Sequence, residues 1–441
     1  MAWTLSNAGP GEVVKPNERL SYGRMIGLGA QHVMAMFGAT FVFPLIMGLD
    51  ANLSVMMSGV ATVLFLIIVG NRVPSYLGTS ASFVGAVAAI RAGGGTSAQV
   101  TGSILIAGLL LAIVGLIVHF AGGAVVSKVL PPAVTGAVVM LIGFNLAPVA
   151  TGVYWHQDEW LGFLTLVATL VMSVVFRGFL SRITVFLGLI VGVIIAWLMD
   201  VLSITGYDRF SGADPVKPLA AAVKRVDFAG VGNADWFGLP TMSGPTFTGS
   251  FILLVIPAVI ALIAENTGHV KAVAEMTGEN LDDVLGRALI GDGVGTMLTS
   301  AVGGSPTTTY AENIGVMAAT KVYSTLAYYI AAVFAILFGL CPKFGAIINA
   351  VPGGVLGGVT TVLYGMIGIL GAKIWIENKV DFNDSTNIMI AAITLIVGIA
   401  DISFTVGDFT FNGIINGTLV AVIGHAVFRS IARSRGTTTV H

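Results

Sequence analysis

Long apolar runs separated by short polar gaps fill most of this chain, in two groups on either side of a polar stretch at 203–246. A helix needs about 20 mostly apolar residues to cross the hydrocarbon of a bilayer. The runs of the first group, taken as spanning segments, are 25–47, 53–70, a short interrupted piece 79–91, 101–122, 131–150, 159–176 and 183–202. Those of the second group are 247–269, 286–301, an interrupted piece 305–320, 322–341, 347–370, 386–401 and 411–430. The pattern predicts an all-α polytopic membrane protein with 14 transmembrane segments, seven in each half.

The second interrupted piece contains residues that a continuous spanning helix avoids. From 303 to 316 it reads GGSPTTTYAENIGV, in which two glycines and a proline stop a helix and three threonines favour extended backbone. After Tyr310 the pattern becomes helical again, so we expect a short strand followed by a half-helix. Irregular backbone at membrane depth is tolerated only where it is buried in protein or lines a polar cavity. Because an intramembrane carboxyl is functional by default, Glu312 is expected to mark the substrate site.

The two halves of the chain resemble each other. Pro131 and Pro352 each open the fifth segment of their half, in the similar runs PPAVTGAV and PGGVLGGV, and the interruption at Gly78-Thr79-Ser80 in segment 3 corresponds to Gly304-Ser305-Pro306 in segment 10. Because seven is odd, the second repeat enters the membrane from the opposite side, so the repeats are inverted. Paired interrupted segments of this kind point to a transporter's binding site. The predicted divisions are a cytoplasmic tail 1–24, a first repeat 25–202, an extracytoplasmic loop 203–246, a second repeat 247–430 and a cytoplasmic tail 431–441.

Composition and charge narrow the class of protein and set its orientation. Of the 441 residues, 56% are hydrophobic and 10% charged, whereas a soluble domain averages about 25% charged residues. The net charge of −1 does not indicate nucleic-acid binding. The single cysteine, Cys341, excludes an intrachain disulfide, and no metal or cofactor is expected. With 14 segments, all but six of the 21 Lys and Arg lie on the same side of the membrane as the amino terminus. The positive-inside rule therefore places both termini in the cytoplasm. Those six are Arg91, Arg209, Lys217, Lys224, Arg225 and Lys343.

Three ionisable residues stand out in the second half. Glu265 and His269 lie one helical turn apart and therefore share a helix face. They either face water at a helix end or belong to a site, and their place in a membrane segment favours a site. Glu312 either caps the free amides at the start of the half-helix or binds substrate, and the two roles are compatible.

Other polar residues leave their roles open. Gln31 and His32, in the first segment, either tie helices together or support the site, and Asp292 either anchors a neighbouring helix or lines the site. Tyr310 is either a core residue or an aromatic beside a carboxylate, which suits stacking on a flat ring.

These residues carry a family resemblance. The run Glu312-Asn313-Ile314-Gly315 followed by Thr320-Lys321 is similar to the signature of the nucleobase/ascorbate transporter family, also called nucleobase–cation symporter family 2. The Gln31-His32 pair is a second hallmark of that family. The chain resembles most the bacterial uracil and pyrimidine permeases, over about 18–429, through the runs AMFGAT at 35–40, VPSYLG at 73–78 and TTYAENIGVM at 308–317.

The resemblance implies a fold and a set of site residues. Segments 1–4 and 8–11 would form a core domain, and segments 5–7 and 12–14 a gate domain that commonly makes a homodimer contact. Segments 3 and 10 would each contain a short strand, which agrees with the threonine run. The positions that would line the substrate or proton site are Glu265, His269, Tyr310 and Glu312, with support from Thr309 and Asn313. An aromatic residue that contacts uracil in such permeases is replaced by Ala81 here, so stacking on the base is expected from Phe83 or Tyr310.

The chemistry of uracil fits these residues. Uracil presents two N–H donors, which the carboxylates of Glu265 and Glu312 can accept, and two carbonyls, to which the free amides of Ala311 and Glu312 can donate, aided by the helix dipole. The resemblance therefore predicts a proton-coupled importer of uracil or a related pyrimidine in a bacterial inner membrane, with Glu265, His269 and Glu312 as one titrating group. Sodium coupling stays open, since backbone carbonyls could bind that ion.

Two alternatives remain. The first is a purine permease of the same family, for xanthine, uric acid or guanine. The second is an anion exchanger with the same inverted seven-plus-seven plan, which is less favoured because Glu312 would repel its substrate. An intramembrane enzyme lacks a metal or nucleophile constellation in this sequence.

Overall fold

The computed structural model describes residues 3–9, 12–123, 125–126, 130–204, 207–208, 217–218, 224–406 and 409–435. Within these ranges, helices long and apolar enough to span a membrane are Tyr22–Met47, Ala51–Ile68, Ser97–Ala121, Pro132–Gln157, Thr184–Val201, Gly249–Thr277, Gly353–Glu377 and Gly413–Arg435. Shorter apolar helices are Ala81–Ala92, Glu159–Val175 and Ser385–Ile399, and Thr325–Gly339 meets Pro342–Asn349 at a bend of 79°. The other helices described are Phe179–Arg182, Ala229–Asn233, Leu285–Ala301 and Ala311–Thr320. A mostly helical, multi-pass membrane protein is confirmed, and the number of 14 segments stays a prediction.

Short two-stranded sheets accompany the helices. In the described part of the chain they pair Thr4–Leu5 with Glu18–Arg19, Leu77–Thr79 with Thr307–Thr309, Tyr207–Asp208 with Lys217–Pro218, and Phe404–Val406 with Phe409–Phe411. Only the second of these lies among the membrane helices, between the two halves of the chain.

Some helix boundaries differ from the predicted ones for identifiable reasons. The segment predicted at 347–370 begins instead at Gly353, after Pro352, and continues to Glu377. Proline has no amide hydrogen to continue a helix, but it fits the first positions of a new one. The segment predicted at 247–269 continues to Thr277 and ends where Gly278 adopts a left-handed conformation, with φ of 69°.

The predicted termini and loop also contain structure. The first helix begins at Tyr22, and the last continues to Arg435, inside the predicted tail 431–441. Much of the predicted loop 203–246 lies outside the described residues. Where the described chain resumes, Arg225 makes ion pairs with Asp158 at 2.7 Å and Asp200 at 3.1 Å, both largely buried. The described end of the loop is therefore fixed to the helices that begin and end beside it.

The centre of the molecule is a pair of three-residue strands, Leu77–Thr79 and Thr307–Thr309, which we call the central strands. They pair antiparallel, with Gly78 opposite Thr308, and all their residues are buried. Each belongs to one of the two interrupted segments of the sequence. The two halves of the chain therefore meet through backbone hydrogen bonds at the points where their helices are broken.

Threonine hydroxyls satisfy the outer edges of the central strands. A buried backbone N–H or C=O needs a hydrogen-bond partner. Thr62 accepts a hydrogen bond from the amide of Leu77 at 2.9 Å. Thr296 accepts one from the amide of Thr307 at 3.1 Å and donates one to its carbonyl at 3.0 Å. The helices Ala51–Ile68 and Leu285–Ala301, the second of each half, thus hold the first residue of each strand in a similar way.

A short helix follows each central strand. The first half-helix, Val84–Ala92, comes after the turn Ala81–Phe83, and the second half-helix is Ala311–Thr320. Because the strands are antiparallel, the half-helices leave in opposite directions while both amino-terminal ends stay beside the strands. Amides in the first turn of a helix have no intrahelical partner and carry a partial positive charge. Ser80 caps the turn before the first half-helix by accepting from the Ser82 amide at 3.3 Å, whereas the second half-helix has no side-chain cap. Uncapped hydrogen-bond donors at the centre of the protein therefore belong to the second half-helix.

Gly78→Ala is expected to destabilise the central strands. A methyl group at this position would lie 2.5 Å from both the Thr40 hydroxyl and the Tyr310 ring. Overpacking of this kind costs about 1–3 kcal/mol, and the midpoint of thermal unfolding of the purified protein should fall accordingly. Gly365→Ala is the matched control, because its added methyl meets nothing within 4 Å. Equal midpoints for the two variants would contradict the importance of this close packing.

Candidate functional site

The second half-helix presents an open amino-terminal end. Its N-cap residue, Tyr310, makes no side-chain capping bond, and Glu312 is the acidic residue of its first turn. Ala311 is exposed and Glu312 is half-buried, so both are accessible from a space inside the protein. Free amides and a carboxylate next to one another offer both donors and an acceptor to a polar ligand.

Glu312 and Ala311 line a cavity of about 270 Å³, which we call the Glu312 cavity. Its walls come from the helix Tyr22–Met47, the second half-helix and, facing them, the helices Thr184–Val201 and Gly353–Glu377. The lining residues are Ala35, Gly38, Ala39, Ser181, Ile183, Thr184, Val185, Phe186, Ala311, Glu312, Gly315, Leu363 and Met366. The cavity is mostly apolar with one carboxyl, as small-molecule sites commonly are.

Glu265 and His269 face the same region from the helix Gly249–Thr277. Both side chains are half-buried, and a ring nitrogen of His269, Nδ1, lies 2.8 Å from the hydroxyl of Thr309. The carboxyl of Glu265 interacts electrostatically with those of Asp292 and Glu312. The structure therefore brings three predicted site residues, Glu265, His269 and Glu312, around the second central strand and the start of its half-helix.

A second cavity of about 530 Å³, which we call the vestibule, is lined by Ala264, the residue that precedes Glu265. It lies between the helix Gly249–Thr277 and the helices Pro132–Gln157 and Gly353–Glu377. Its lining residues are Val126, Leu130, Pro132, Thr135, Ala264, Thr267, Gly268, Lys271, Ala272, Glu275, Ile374, Glu377 and Asn378. Polarity increases along it, from Ala264 towards Lys271, Glu275 and Glu377, so it suits a water-filled path.

Asp292 is held by a residue that the sequence did not single out. The amide of Asn266 donates to Asp292 Oδ2 at 2.7 Å, and both side chains are fully buried. This bond joins the helix Gly249–Thr277 to the helix Leu285–Ala301, and Asn266 directly follows Glu265 in sequence. Asn266 could have been suspected from its place in an apolar run, but its partner is 26 residues away.

His32 and Asn313 fix the second half-helix to the first helix of the chain. The side-chain amide of Asn313 lies 3.1 Å from His32 Nδ1 and donates to the His32 carbonyl at 2.9 Å. The His32 ring packs on Tyr328, with ring centroids 4.3 Å apart. Both His32 and Asn313 are fully buried, whereas Gln31 is half-buried. These contacts place His32 and Asn313 behind the site rather than in its cavity.

The aromatic residues expected to stack on a ligand are buried in protein. Tyr310 is 5% exposed and donates its hydroxyl to the carbonyl of Thr79 at 2.6 Å, so it joins the central strands. Phe83 is fully buried, while Ala81 is half-buried. The aromatic that lines the Glu312 cavity is Phe186, from the facing helix Thr184–Val201. No motif in the sequence distinguished Phe186 from the other apolar residues of its segment.

Comparison with known proteins places this arrangement in context. Residues 23–406 match the model of a permease family named Xan_ur_permease. The chain is 44% identical over 433 residues to RutG of Escherichia coli K12, assigned as a pyrimidine permease, covering 96% of this chain and 94% of that protein. It is 35% identical over 428 residues to the uracil permease of Bacillus caldolyticus (93% of each chain) and 33% identical over 428 residues to that of Escherichia coli K12 (94% of each).

Solved structures with a similar fold are more distant in sequence. SLC26A9 aligns with a TM-score of 0.63 at 12% identity, over 92% of this chain and 66% of that one. The transmembrane domain of the cyanobacterial bicarbonate transporter BicA aligns with a TM-score of 0.56 at 15% identity, over 92% of this chain and 97% of that one. At these identities the likeness concerns the fold alone.

Proposed function

The chain belongs to the Xan_ur_permease family, the nucleobase/ascorbate transporters, and we propose that it imports uracil or a related pyrimidine by proton symport with alternating access. The observation that carries this proposal is the pairing of a carboxylate, Glu312, with the uncapped first turn of a half-helix in one cavity. The relatives named as uracil and pyrimidine permeases, which match almost the full length of the chain, support the choice of substrate. The site would lie in a bacterial inner membrane, with both termini cytoplasmic.

The proposed recognition uses the edges of the base. The carboxylates of Glu265 and Glu312 accept the N–H groups of uracil, and the amides of Ala311 and Glu312 donate to a carbonyl. A hydrogen bond to a charged group contributes about 1.5–3 kcal/mol, so a few of them suffice for a micromolar affinity of about −8 kcal/mol after ordering costs. Phe186 replaces Phe83 and Tyr310 in our proposal as the aromatic that packs on the face of the base, because it lines the cavity.

The proposed transport cycle follows from the position of the cavities. The Glu312 cavity lies between residues of the proposed core domain, such as Ala311, and residues of the proposed gate domain, such as Phe186. The antiparallel central strands support the division into two inverted repeats of seven segments. The vestibule extends from Ala264, the neighbour of Glu265 in sequence, towards Lys271 and Glu275, on the side that we assign to the cytoplasm. We therefore interpret this conformation as inward-facing, in a proposed homodimer joined through the gate domains.

An anion exchanger is disfavoured even though SLC26A9 and BicA share the fold. A fold hosts many functions, and function is decided by the site. Here a carboxylate occupies the first turn of the second half-helix, where it would repel an anion. A purine remains compatible with this site, because xanthine and guanine also present N–H groups next to carbonyls.

Competition by a panel of bases tests the proposed substrate. Uptake of labelled uracil into cells lacking their own uracil permeases is expected, with inhibition by thymine and other pyrimidines that keep both imide N–H groups. Cytosine should inhibit poorly, because its amino group replaces a carbonyl acceptor and leaves a buried amide of the half-helix unsatisfied, a loss of about 1–3 kcal/mol or roughly 5- to 150-fold in affinity. Cells carrying an empty vector provide the background. Inhibition by xanthine or guanine with none by uracil would identify a purine carrier instead.

A further inference from the structure

The amino-terminal residues 3–9 and 12–19, which we call the N-terminal strap, fold back on the protein. Their strands Thr4–Leu5 and Glu18–Arg19 pair in parallel. The carboxylate of Glu18 accepts hydrogen bonds from the Ser6 hydroxyl at 2.9 Å and the Lys15 amide at 3.1 Å. The strap is thus a small structured unit with its own hydrogen bonds.

The strap is bound to the chain that follows the second half-helix. The amide of Val14 donates to the Lys321 carbonyl at 2.9 Å, and the Val14 carbonyl accepts from the Tyr323 amide at 2.8 Å. The Pro16 carbonyl accepts from both the amide and the hydroxyl of Thr325, each at 3.0 Å. Val14 is only 2% exposed. These bonds form a continuous contact rather than an isolated touch.

Trp3 adds a second point of attachment at the same place. Its indole N–H donates to the Thr325 hydroxyl at 2.9 Å, and its ring lies edge-on to Tyr329 with centroids 5.5 Å apart. The Thr325 hydroxyl therefore accepts from Trp3 and donates to Pro16. Two distant parts of the strap converge on one side-chain oxygen.

The strap is attached at the carboxyl-terminal end of the second half-helix, and the candidate site lies at its amino-terminal end. The second half-helix has 10 residues and ends at Lys321, which adopts a left-handed conformation with φ of 56°. A helix of this length is about 15 Å long and is not stable by itself. Contacts at both ends therefore set its position. Ala311 and Glu312 stand at one end, and the strap holds the other.

We propose that docking of the N-terminal strap positions the second half-helix for substrate binding, so that docked strap and bound substrate stabilise each other. The inference rests on the proposed function only for the identity of the ligand. Coupling between two sites is reciprocal in free energy. If the docked strap raises the affinity for substrate by some factor, bound substrate raises the equilibrium constant for docking of the strap by the same factor.

Thr325→Val and Thr325→Ser form the test pair. Valine keeps the shape of threonine but removes the hydroxyl that joins Trp3 and Pro16, whereas serine keeps it. Two quantities are measured on the purified full-length protein in lipid nanodiscs: the uracil dissociation constant by calorimetry, and the rate of tryptic cleavage after Arg19 by mass spectrometry. Cleavage of a transiently opened segment follows the population of the open form.

Thr325→Val should weaken uracil binding about 5-fold or more, the lower end of typical coupling, and speed cleavage after Arg19. Thr325→Ser should resemble the unmodified protein in both. Saturating uracil should slow cleavage of the unmodified protein by a factor similar to the loss of affinity in the valine variant. Faster cleavage of Thr325→Val with unchanged uracil affinity, and no effect of uracil on the unmodified protein, would overturn the proposal.

Two further outcomes are covered by the same assays. If Thr325→Val does not fold, Trp3→Phe removes only the indole N–H, keeps a ring against Tyr329, and is judged by the same two readouts. If the unmodified protein does not bind uracil, the proposed function fails. The coupling is then measured with xanthine: slower cleavage after Arg19 with bound xanthine supports the coupling, and unchanged cleavage overturns it.

Discussion

Glu312→Gln is expected to abolish uracil uptake while the protein still folds and reaches the membrane. Glutamine keeps the shape of the side chain but replaces one acceptor oxygen with a donor, so one N–H of the base loses its partner and faces another N–H. Removing a charged hydrogen bond and leaving a buried donor unsatisfied costs several kcal/mol, which corresponds to a loss of more than 100-fold. Uptake is measured with labelled uracil at equal membrane abundance of each variant.

Glu279→Gln is the control for this substitution, because Glu279 is exposed beyond the end of the helix Gly249–Thr277 and lines neither cavity. It should leave uptake unchanged. A thermal unfolding midpoint close to that of the unmodified protein shows that Glu312→Gln is folded. Near-normal uptake by that variant would remove Glu312 from the substrate site and leave it the role of capping the half-helix.

An inward proton gradient is expected to drive accumulation of uracil in proteoliposomes without sodium. Glu265, Glu312 and Asp292 place three carboxyl groups in one poorly hydrated region. Like charges repel strongly there, and a bound proton removes part of that repulsion. His269, a turn from Glu265 and bonded to Thr309, is suited to share the proton. These groups would titrate together, so the proton belongs to the set and not to one residue.

The coupling is measured by imposing proton and sodium gradients separately. A protonophore should collapse the accumulation, and His269→Ala should lower accumulation more than it lowers uracil binding. The ammonium of Lys373 also interacts with His269 from the facing helix, so Lys373→Gln serves as a comparison variant that keeps His269. Accumulation that requires sodium and ignores the proton gradient would contradict proton symport.

Much of the fold could be predicted from the sequence because the bilayer imposes a simple rule on length and polarity. The apolar runs gave the approximate helices, and the Gly-Pro break at 303–306 with its threonines predicted a strand and a half-helix, which the structure contains at Thr307–Thr309 and Ala311–Thr320. The break after Cys341 was predicted, but the short helix Pro342–Asn349 was not, and the next segment was started at 347 instead of Gly353, since glycine and alanine around Pro352 keep the run apolar. Hydropathy measures the exclusion of water and does not distinguish one bent span from two helices.

The candidate site was partly predictable for a similar reason. Ionisable residues in apolar segments are rare and costly, which marked Glu265, His269 and Glu312 before any contact was known. Phe186 carried no such signal, because an aromatic in a membrane segment faces lipid as readily as it faces a cavity. Asn266 became informative only when its partner, Asp292, was seen.

The sequence by itself determined that this is a multi-pass helical membrane protein with broken segments and carboxyl groups in apolar runs, because those properties depend on composition along the chain, and its signature motifs indicated the permease family. The tertiary structure decided which distant residues meet. It paired Leu77–Thr79 with Thr307–Thr309, brought Phe186 and Glu312 to one cavity, and bound the polar amino terminus to Thr325. Within a bilayer, lipid and protein interior are equally apolar, so hydropathy cannot tell a lipid-facing side from a packed one. Only the geometry of close packing and paired hydrogen bonds makes that choice.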